Sequence, residues 1–262
     1  MKTVQLQAVG WAFAGAVLIL LALVLPVQLQ TDAPPTPGCL AALAYLVVSN
    51  GLVLRGLQRR RSIRFGPANT VTATRSTLVA VITGLVVASF TGPIPVALLV
   101  ALIAPALALD AIDGWVARRT GTVSELGARF DMEVDAFLLL VLSLYVAESM
   151  GLWVLGIGAL RYLFVMAGWG LPWFRRRLPP RYWRKVVTAV AGIALAIAAS
   201  GMLAGVDALL VAAALLLLVE SFGRDVIWLV RRRRIEDVRS EAQALRVTEN
   251  DQGDASRDGV VS

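Results

Sequence analysis

Long apolar runs recur along the chain and constrain its fold more than any other feature. A helix needs about 20 mostly apolar residues to cross roughly 30 Å of hydrocarbon. Eight runs come close to that length: about 8–29, 38–57, 70–91, 94–112, 130–149, 152–173, 186–204 and 207–230. Hydrophobic residues make up 58% of the 262 residues, whereas soluble domains contain roughly 45–50%. The sequence therefore predicts an all-α, polytopic membrane helix bundle.

Most of the basic residues are arginines, and they gather in short connecting segments. The basic clusters are Arg55 to Arg64, Arg118 and Arg119, Arg175 to Arg184, and Arg231 to Arg234. They alternate with nearly uncharged connections at 31–37, 91–95 and 204–207. This alternation follows the positive-inside rule, so we expect both termini and all arginine clusters on the cytoplasmic side of the cell membrane. The net charge of +7 is thereby explained by topology, and no nucleic-acid partner is expected.

Two absences from the sequence limit the possible chemistry. The chain contains no histidine, so imidazole can act neither as a proton shuttle nor as a metal ligand. Cys39 is the only cysteine, which excludes intrachain disulfides and thiolate zinc sites. We therefore expect any general base to be a carboxylate, and any metal to be an oxygen-binding ion such as Mg²⁺ or Mn²⁺.

Composition divides the chain into three segments. Residues 1–62 are predicted to form two transmembrane helices followed by a basic connector, and residues 63–235 a transmembrane core. Residues 236–262 are polar and are predicted to form a disordered cytoplasmic tail.

Four aspartates lie at the ends of two neighbouring apolar segments. Asp110 and Asp113 end one predicted helix, and Asp131 and Asp135 lie near the start of the next. Thr122 and Glu125 have the spacing of a capping box and predict where the second helix begins. Because the connection is short, the two helices should be antiparallel, and the four carboxylates should converge at the cytoplasmic side.

Each of these helices is predicted to place its aspartates beside very small residues. On the first helix one face carries Asp110, Asp113, Gly114 and Ala117, with Arg118 at its border. On the second helix one stripe carries Gly127, Asp131 and Asp135. Four converging carboxylates repel each other strongly unless cations lie between them. A pair of Mg²⁺ or Mn²⁺ ions would remove that repulsion and would suit transfer at phosphorus.

The spacing of these residues resembles the signature of the CDP-alcohol phosphotransferase (CDP-alcohol phosphatidyltransferase) family of membrane phospholipid synthases. Eight positions match without a gap: Asp110, Asp113, Gly114, Ala117, Arg118, Gly127, Asp131 and Asp135. The resemblance extends from about Asn69 to Arg234, where six predicted spans correspond to the six-helix core of the family. The two N-terminal spans are additional to that plan.

The resemblance implies a role for each matched residue. Asp110, Asp113 and Asp131 would bind the divalent metals, and Asp135 would accept the proton of the attacking hydroxyl and could also bind metal. The residues that resemble the nucleotide-binding positions of the family are Gly114, Ala117, Arg118 and Gly127.

The resemblance also implies a reaction. An alcohol would attack the lipid-side phosphorus of a CDP-linked donor such as CDP-diacylglycerol, which would give a phosphodiester and CMP. It further implies a homodimer. The motif leaves the acceptor open among glycerol 3-phosphate, inositol phosphate, inositol, serine and a lipid alcohol.

Several polar residues outside the motif carry alternative interpretations. Arg161 either holds an acceptor phosphate or pairs with a buried acid, because an arginine inside a span is costly. Glu220 and Arg224, four residues apart, are expected to pair. Glu133 is expected to join Glu125 and Arg129 in a structural ladder. The resemblance makes Asn69, Thr72 and Arg75 candidates for nucleotide contacts. Arg184 and Lys185 either bind a phosphate or serve only as topology signals.

Three other functions remain as alternatives. A membrane prenyltransferase also uses Mg²⁺ and aspartates, but its acidic motifs typically lie on separate, distant loops. A divalent-cation transporter would place acids deep in the bilayer on several helices. A catalytically inactive scaffold would not need all four aspartates, and all four are present.

Overall fold

The computed structural model describes residues 36–60, 67–120, 125–175, 182–203 and 205–258. Side chains are described within 37–52, 74–109, 131–171, 173–174, 183–203 and 205–235. The first predicted span, at about 8–29, lies outside these residues.

The described part of the chain contains helices, turns and short connections but no strands, which confirms the all-α class. Its helices are α1 (Thr36–Arg60), α2 (Pro67–Ser89), α3 (Val96–Thr120), α4 (Glu125–Met150), α5 (Leu155–Gly170), α6 (Tyr182–Ser200) and α7 (Asp207–Asp258). Two short 3-10 turns, Leu152–Val154 and Pro172–Arg175, lie beside α5. Each helix overlaps one of the apolar runs, because a long uninterrupted apolar segment favours a helix.

Helix α2 is central to the packing, and it contacts α1, α3 and α4. Its residues from Val79 to Ile82 and Leu85 are fully buried. Helix α4 also contacts α5 and α6, and α6 in turn contacts α3 and α7. Leucines from several helices complete one continuous apolar core: Leu99, Leu138, Leu142 and Leu195. The acidic end of α4 is therefore held by helices from both halves of the chain.

Helix α1 packs closely on α2 although the sequence assigns it to a separate N-terminal segment. The hydroxyl groups of Ser49 and Ser76 are hydrogen-bonded across this contact at 2.9 Å. Ala42 and Leu46 of α1 belong to the shared core. Helix α1 is thus part of the same packed unit as the helices that follow.

A glycine allows α4 and α5 to approach each other. The Cα of Gly158 lies so close to the backbone of Leu140 that an added Cβ would overlap it. Small residues commonly permit such contacts between membrane helices. The chain turns from α4 at Gly151, whose φ of 98° lies in the region that glycine adopts without strain.

Two described helical segments, Leu152–Gly170 and Trp183–Ser200, are long and apolar enough to cross a membrane. Shorter apolar stretches occupy Pro37–Leu52, Thr74–Ser89 and Val96–Leu109. Helices α4 and α7 have sufficient length, but several charged residues interrupt their apolar parts. The bundle with a six-helix core and two additional spans therefore stays a prediction.

Helix α7 continues to Asp258, through the segment for which the sequence analysis predicts a disordered tail. The sequence after Arg234 contains many strong helix formers, including RSEAQALR at 239–246. Those residues favour continuation of the helix, although they provide little apolar surface for packing.

Candidate functional site

The structure places the predicted acidic residues on two consecutive helices. Asp110 and Asp113 lie in α3, and Asp131 and Asp135 lie in α4. Thr122, the first residue of the predicted capping box, lies outside the described residues. Gly114, Ala117 and Arg118 are also in α3, and Gly127 is in α4. The side chains of Asp110, Asp113 and Arg118 lie outside the described residues, so the convergence of all four carboxylates stays a prediction.

Asp131 and Asp135 converge on a single positively charged nitrogen. Nη2 of Arg75 forms an ion pair with Oδ1 of Asp131 and lies 3.3 Å from Oδ1 of Asp135. The same nitrogen donates a hydrogen bond of 3.2 Å to the backbone oxygen of Asp131. The two aspartates are four residues apart, a spacing that places them on one face of α4. This face of α4 therefore directs two carboxylate oxygens, one from each aspartate, towards one cationic nitrogen.

Arg75 is unusual because its side chain is completely buried, with 0% exposure, on the central helix α2. The two aspartates are each about a quarter exposed, at 26% and 24%. A buried charge is tolerated only where opposite charges and hydrogen bonds compensate its lost hydration. The packing of α2 against α4 thus fixes a guanidinium at the base of the acidic face, while the carboxylates remain accessible from outside.

A cavity of about 260 Å³ adjoins Asp135 between α3, α4 and α6. It is lined by Leu107, Ala108, Asp135, Leu138, Leu139, Thr188, Ala189 and Ile193. The hydroxyl of Thr188 donates a hydrogen bond to the backbone oxygen of Arg184 at 2.9 Å. Among the described lining residues, Asp135 is therefore the one ionisable side chain, and the others are largely apolar. Typical small-molecule pockets measure roughly 300–1,000 Å³, so this cavity has room for part of a ligand.

The oxygen-rich face of α4 has the donor chemistry that a hard divalent cation requires. Mg²⁺ and Mn²⁺ prefer carboxylate oxygens, and Asp131 and Asp135 already direct two of them towards one cation position. Among the side chains that the structure describes, no group of three or more potential metal ligands occurs. Asp110 and Asp113, the other predicted ligands, are not among those side chains. The described half of the site is thus compatible with metal binding.

The polar residues predicted on α5 and α4 pair with each other. Arg161 forms an ion pair with Glu133, in which Nη2 and Oε1 are 2.8 Å apart. This matches the pairing alternative for Arg161, except that Glu133 is half exposed rather than buried. The predicted ladder of Glu133 with Glu125 and Arg129 involves side chains outside the described residues.

The last two helices carry a second set of ion pairs. Glu220 and Arg224 pair with each other, as their spacing predicts. Glu220 also accepts a hydrogen bond from the indole nitrogen of Trp183 at 3.2 Å. Arg184, a candidate for phosphate binding, lies 3.3 Å from Asp225 across the contact between α6 and α7.

Sequence reasoning missed Asp225 and gave Arg75 only a minor role. Asp225 is 2% exposed and lies within a predicted span, a position in which an acid suggests function. The same rule drew attention to Arg161 and could have identified Asp225. The sequence predicts only a nucleotide contact for Arg75, because its partners on α4 are 56 residues away in the sequence.

Comparison with known families gives a match over the part of the chain that contains the acidic helices. The family model described as CDP-alcohol phosphatidyltransferase matches residues 65–228, which is more than half of the chain. The match spans Arg75 and all eight positions of the motif, and it ends within α7. Comparison with curated proteins and with solved structures gave no match. The chain belongs to the CDP-alcohol phosphatidyltransferase family, whose members transfer a phosphate-linked group from a CDP-alcohol.

Proposed function

We propose that this protein is a membrane phospholipid synthase. It transfers a phosphatidyl group from CDP-diacylglycerol, or a related CDP-linked lipid, to an alcohol and releases CMP. The observation that carries the proposal is the convergence of Asp131 and Asp135 on one cation position, within the segment that matches the family.

The role of Asp135 follows from its position between the acidic face and the cavity. Its carboxylate belongs to the cluster around Arg75 and also lines the cavity of about 260 Å³. An alcohol in that cavity would place its hydroxyl against Asp135, which accepts the proton as the oxygen attacks phosphorus. Because the chain has no histidine, a carboxylate is the appropriate general base.

The donor is held by the acidic helices in this proposal. Asp110, Asp113 and Asp131, with Asp135, bind two Mg²⁺ or Mn²⁺ ions, and Gly114, Ala117, Arg118 and Gly127 contact the nucleotide. When bound, the metals neutralise the diphosphate and stabilise the departing CMP.

A lipid substrate is consistent with the surroundings of the site. The cavity wall beside Asp135 is largely apolar, and Ala108, Ala189 and Ile193 are exposed at the bundle surface. Hydrocarbon can therefore lie beside the carboxylate without burying further polar groups. We propose that the bundle spans the cell membrane several times as a homodimer, with the acidic face at the cytoplasmic side. The arginine clusters support this orientation.

An acceptor screen tests the proposed function. Purified protein, CDP-diacylglycerol and Mg²⁺ or Mn²⁺ are mixed separately with glycerol 3-phosphate, inositol phosphate, inositol, serine and a lipid alcohol. CMP release and the lipid product are both measured. We expect one acceptor to exceed the water blank and to give a phosphodiester lipid. Release of pyrophosphate from a prenyl diphosphate, with no CMP from any mixture, would contradict the proposal.

A further inference from the structure

We propose that Arg75 is a built-in counter-cation of the acidic face. It holds Asp131 and Asp135 together when no divalent ion is bound, and it competes with that ion for the same carboxylate oxygens. Arg75 is in this sense a positioning residue, and the inference rests on the divalent metal site of the proposed function.

The competition follows from the number of oxygens around one nitrogen. Nη2 of Arg75 contacts one carboxylate oxygen of Asp131, one of Asp135 and the backbone oxygen of Asp131. An ion that binds between these two carboxylate oxygens takes the position that Nη2 occupies. The guanidinium must therefore release at least one of these oxygens when the ion binds.

The positive charge of Arg75 also opposes the binding of a divalent ion at this position. A guanidinium stays protonated in proteins, and this one is fully buried beside the carboxylates. It lowers the mutual repulsion of the acids but also repels an incoming cation. Removal of the Arg75 charge should thus destabilise the metal-free protein and, at the same time, strengthen binding of a divalent ion. A residue with a purely structural role would produce only the first effect.

Arg161 supplies a matched control, because its acidic partner lies on α4, the same helix as Asp131 and Asp135. It pairs with Glu133, which lies between Asp131 and Asp135 in the sequence. Both members of that pair are partly exposed, and neither contacts the Asp131–Asp135 face through a described interaction. Arg161→Gln removes the same charge from a neighbouring ion pair, so it controls for the general loss of an arginine.

The experiment compares wild type, Arg75→Gln and Arg161→Gln as full-length protein in detergent, with Mn²⁺ alone as the probe. Electron paramagnetic resonance of free Mn²⁺ gives the affinity, and Tm is measured with and without Mn²⁺. For Arg75→Gln we expect at least about tenfold tighter Mn²⁺ binding, corresponding to about 1.4 kcal/mol. Its Tm should be lower without metal, and Mn²⁺ should raise that Tm more than it raises the wild-type value. Arg161→Gln should bind Mn²⁺ as the wild type does.

Unchanged or weaker Mn²⁺ binding by folded Arg75→Gln would overturn the proposal. If wild type does not bind Mn²⁺ at all, both this inference and the proposed metal site are wrong. If wild type binds and Arg75→Gln matches it, only the role of Arg75 is wrong.

If Arg75→Gln does not fold, two further variants test whether Arg75 competes with the divalent ion. Arg75→Lys keeps the charge but loses the forked geometry, so Mn²⁺ affinity should rise by a smaller factor. Arg75→Gln combined with Asp131→Asn removes one charge of each sign, so its metal-free Tm should lie closer to that of wild type. Failure of both variants to fold even in Mn²⁺ would show that the ion cannot replace the arginine, which contradicts the proposal.

Discussion

Two arginines form ion pairs with acids of α4 that all lie between Asp131 and Asp135, yet the surroundings of the two arginines differ. Arg75 from α2 is fully buried and pairs with Asp131 and Asp135, whereas Arg161 from α5 is 31% exposed and pairs with Glu133. Successive residues of a helix are rotated by about 100°, so Glu133 lies on nearly the opposite face from Asp131. Helix α4 therefore has an inner acidic face in the bundle and an outer acid at its surface.

The two faces differ in how deeply their arginine is buried and in how many acidic partners that arginine has. An exposed ion pair contributes about 0–1 kcal/mol, because water screens it and two long side chains must be ordered. Removal of a buried arginine with two acidic partners should destabilise the protein more, because both carboxylates would then lack an opposite charge. We therefore expect function and stability to depend on the inner face and to tolerate changes on the outer one.

The largest expected effect is on turnover, and it separates the two faces directly. Asp135→Asn removes the proposed base but keeps a carbonyl oxygen, so CMP release should fall by about 10²–10⁴-fold. Binding of the CDP-lipid should persist. The matched control is Glu133→Gln, two residues away on the outer face, which should keep nearly full activity. Equal losses in the two variants, measured as kcat and substrate Kd, would remove the functional distinction between the faces.

A buried acid outside α4 tests whether burial, rather than position in α4, governs the contribution of an ion pair to stability. Asp225 is 2% exposed and accepts a hydrogen bond from Arg184 across the α6–α7 contact. Arg184→Met should lower the free energy of unfolding by about 1.5–3 kcal/mol, the range for hydrogen bonds to charged groups.

The control for this variant is Arg224→Met, which removes an exposed pair with Glu220 on a single helix. Its cost should be about 0.3–0.5 kcal/mol, as for other pairs four residues apart. Chemical denaturation in detergent measures both. If the Arg224 variant costs as much as the Arg184 variant, exposure is not what separates strong from weak pairs in this bundle.

The contact between α4 and α5 can be tested through its glycine. Gly158→Val would force a side chain into the backbone of Leu140, so we expect a loss of about 1–3 kcal/mol. Gly170→Ala at the end of α5 is the control, because no atom lies within 4 Å of the added Cβ. A Gly158→Val protein as stable as wild type would mean that α5, and Arg161 with it, can move away from α4 without cost.

Helix class and helix positions could be predicted from the sequence because they depend on local properties. Uninterrupted apolar length predicts each described helix, and the four-residue spacing of Asp131 and Asp135 predicts that they share a face. Such features need no knowledge of distant parts of the chain.

Features that depend on contacts between distant helices could not be predicted in the same way. Nothing in the residues around Arg75 indicates that its partners lie on α4, since the pairing results from how α2 packs. The same holds for Arg184 and Asp225, which are 41 residues apart. Spacing within a helix identified the acids, but the arginine among them required the structure.

The smallest expected effect concerns the outer face, and it reports on what surrounds that face. Arg161→Gln leaves Glu133, which is half exposed, without its guanidinium partner. If Glu133 lies at the cytoplasmic membrane surface, water and headgroups solvate it, and the variant should lose less than about 1 kcal/mol of unfolding free energy. If that face instead contacts hydrocarbon, the unpaired carboxylate should cost about 2.5–3.5 kcal/mol. The double variant Arg161→Gln/Glu133→Gln distinguishes these cases, because it removes the carboxylate as well. Recovery of stability in the double variant would place Glu133 in hydrocarbon, and the inner and outer faces of α4 would then differ less in energy than their exposures indicate.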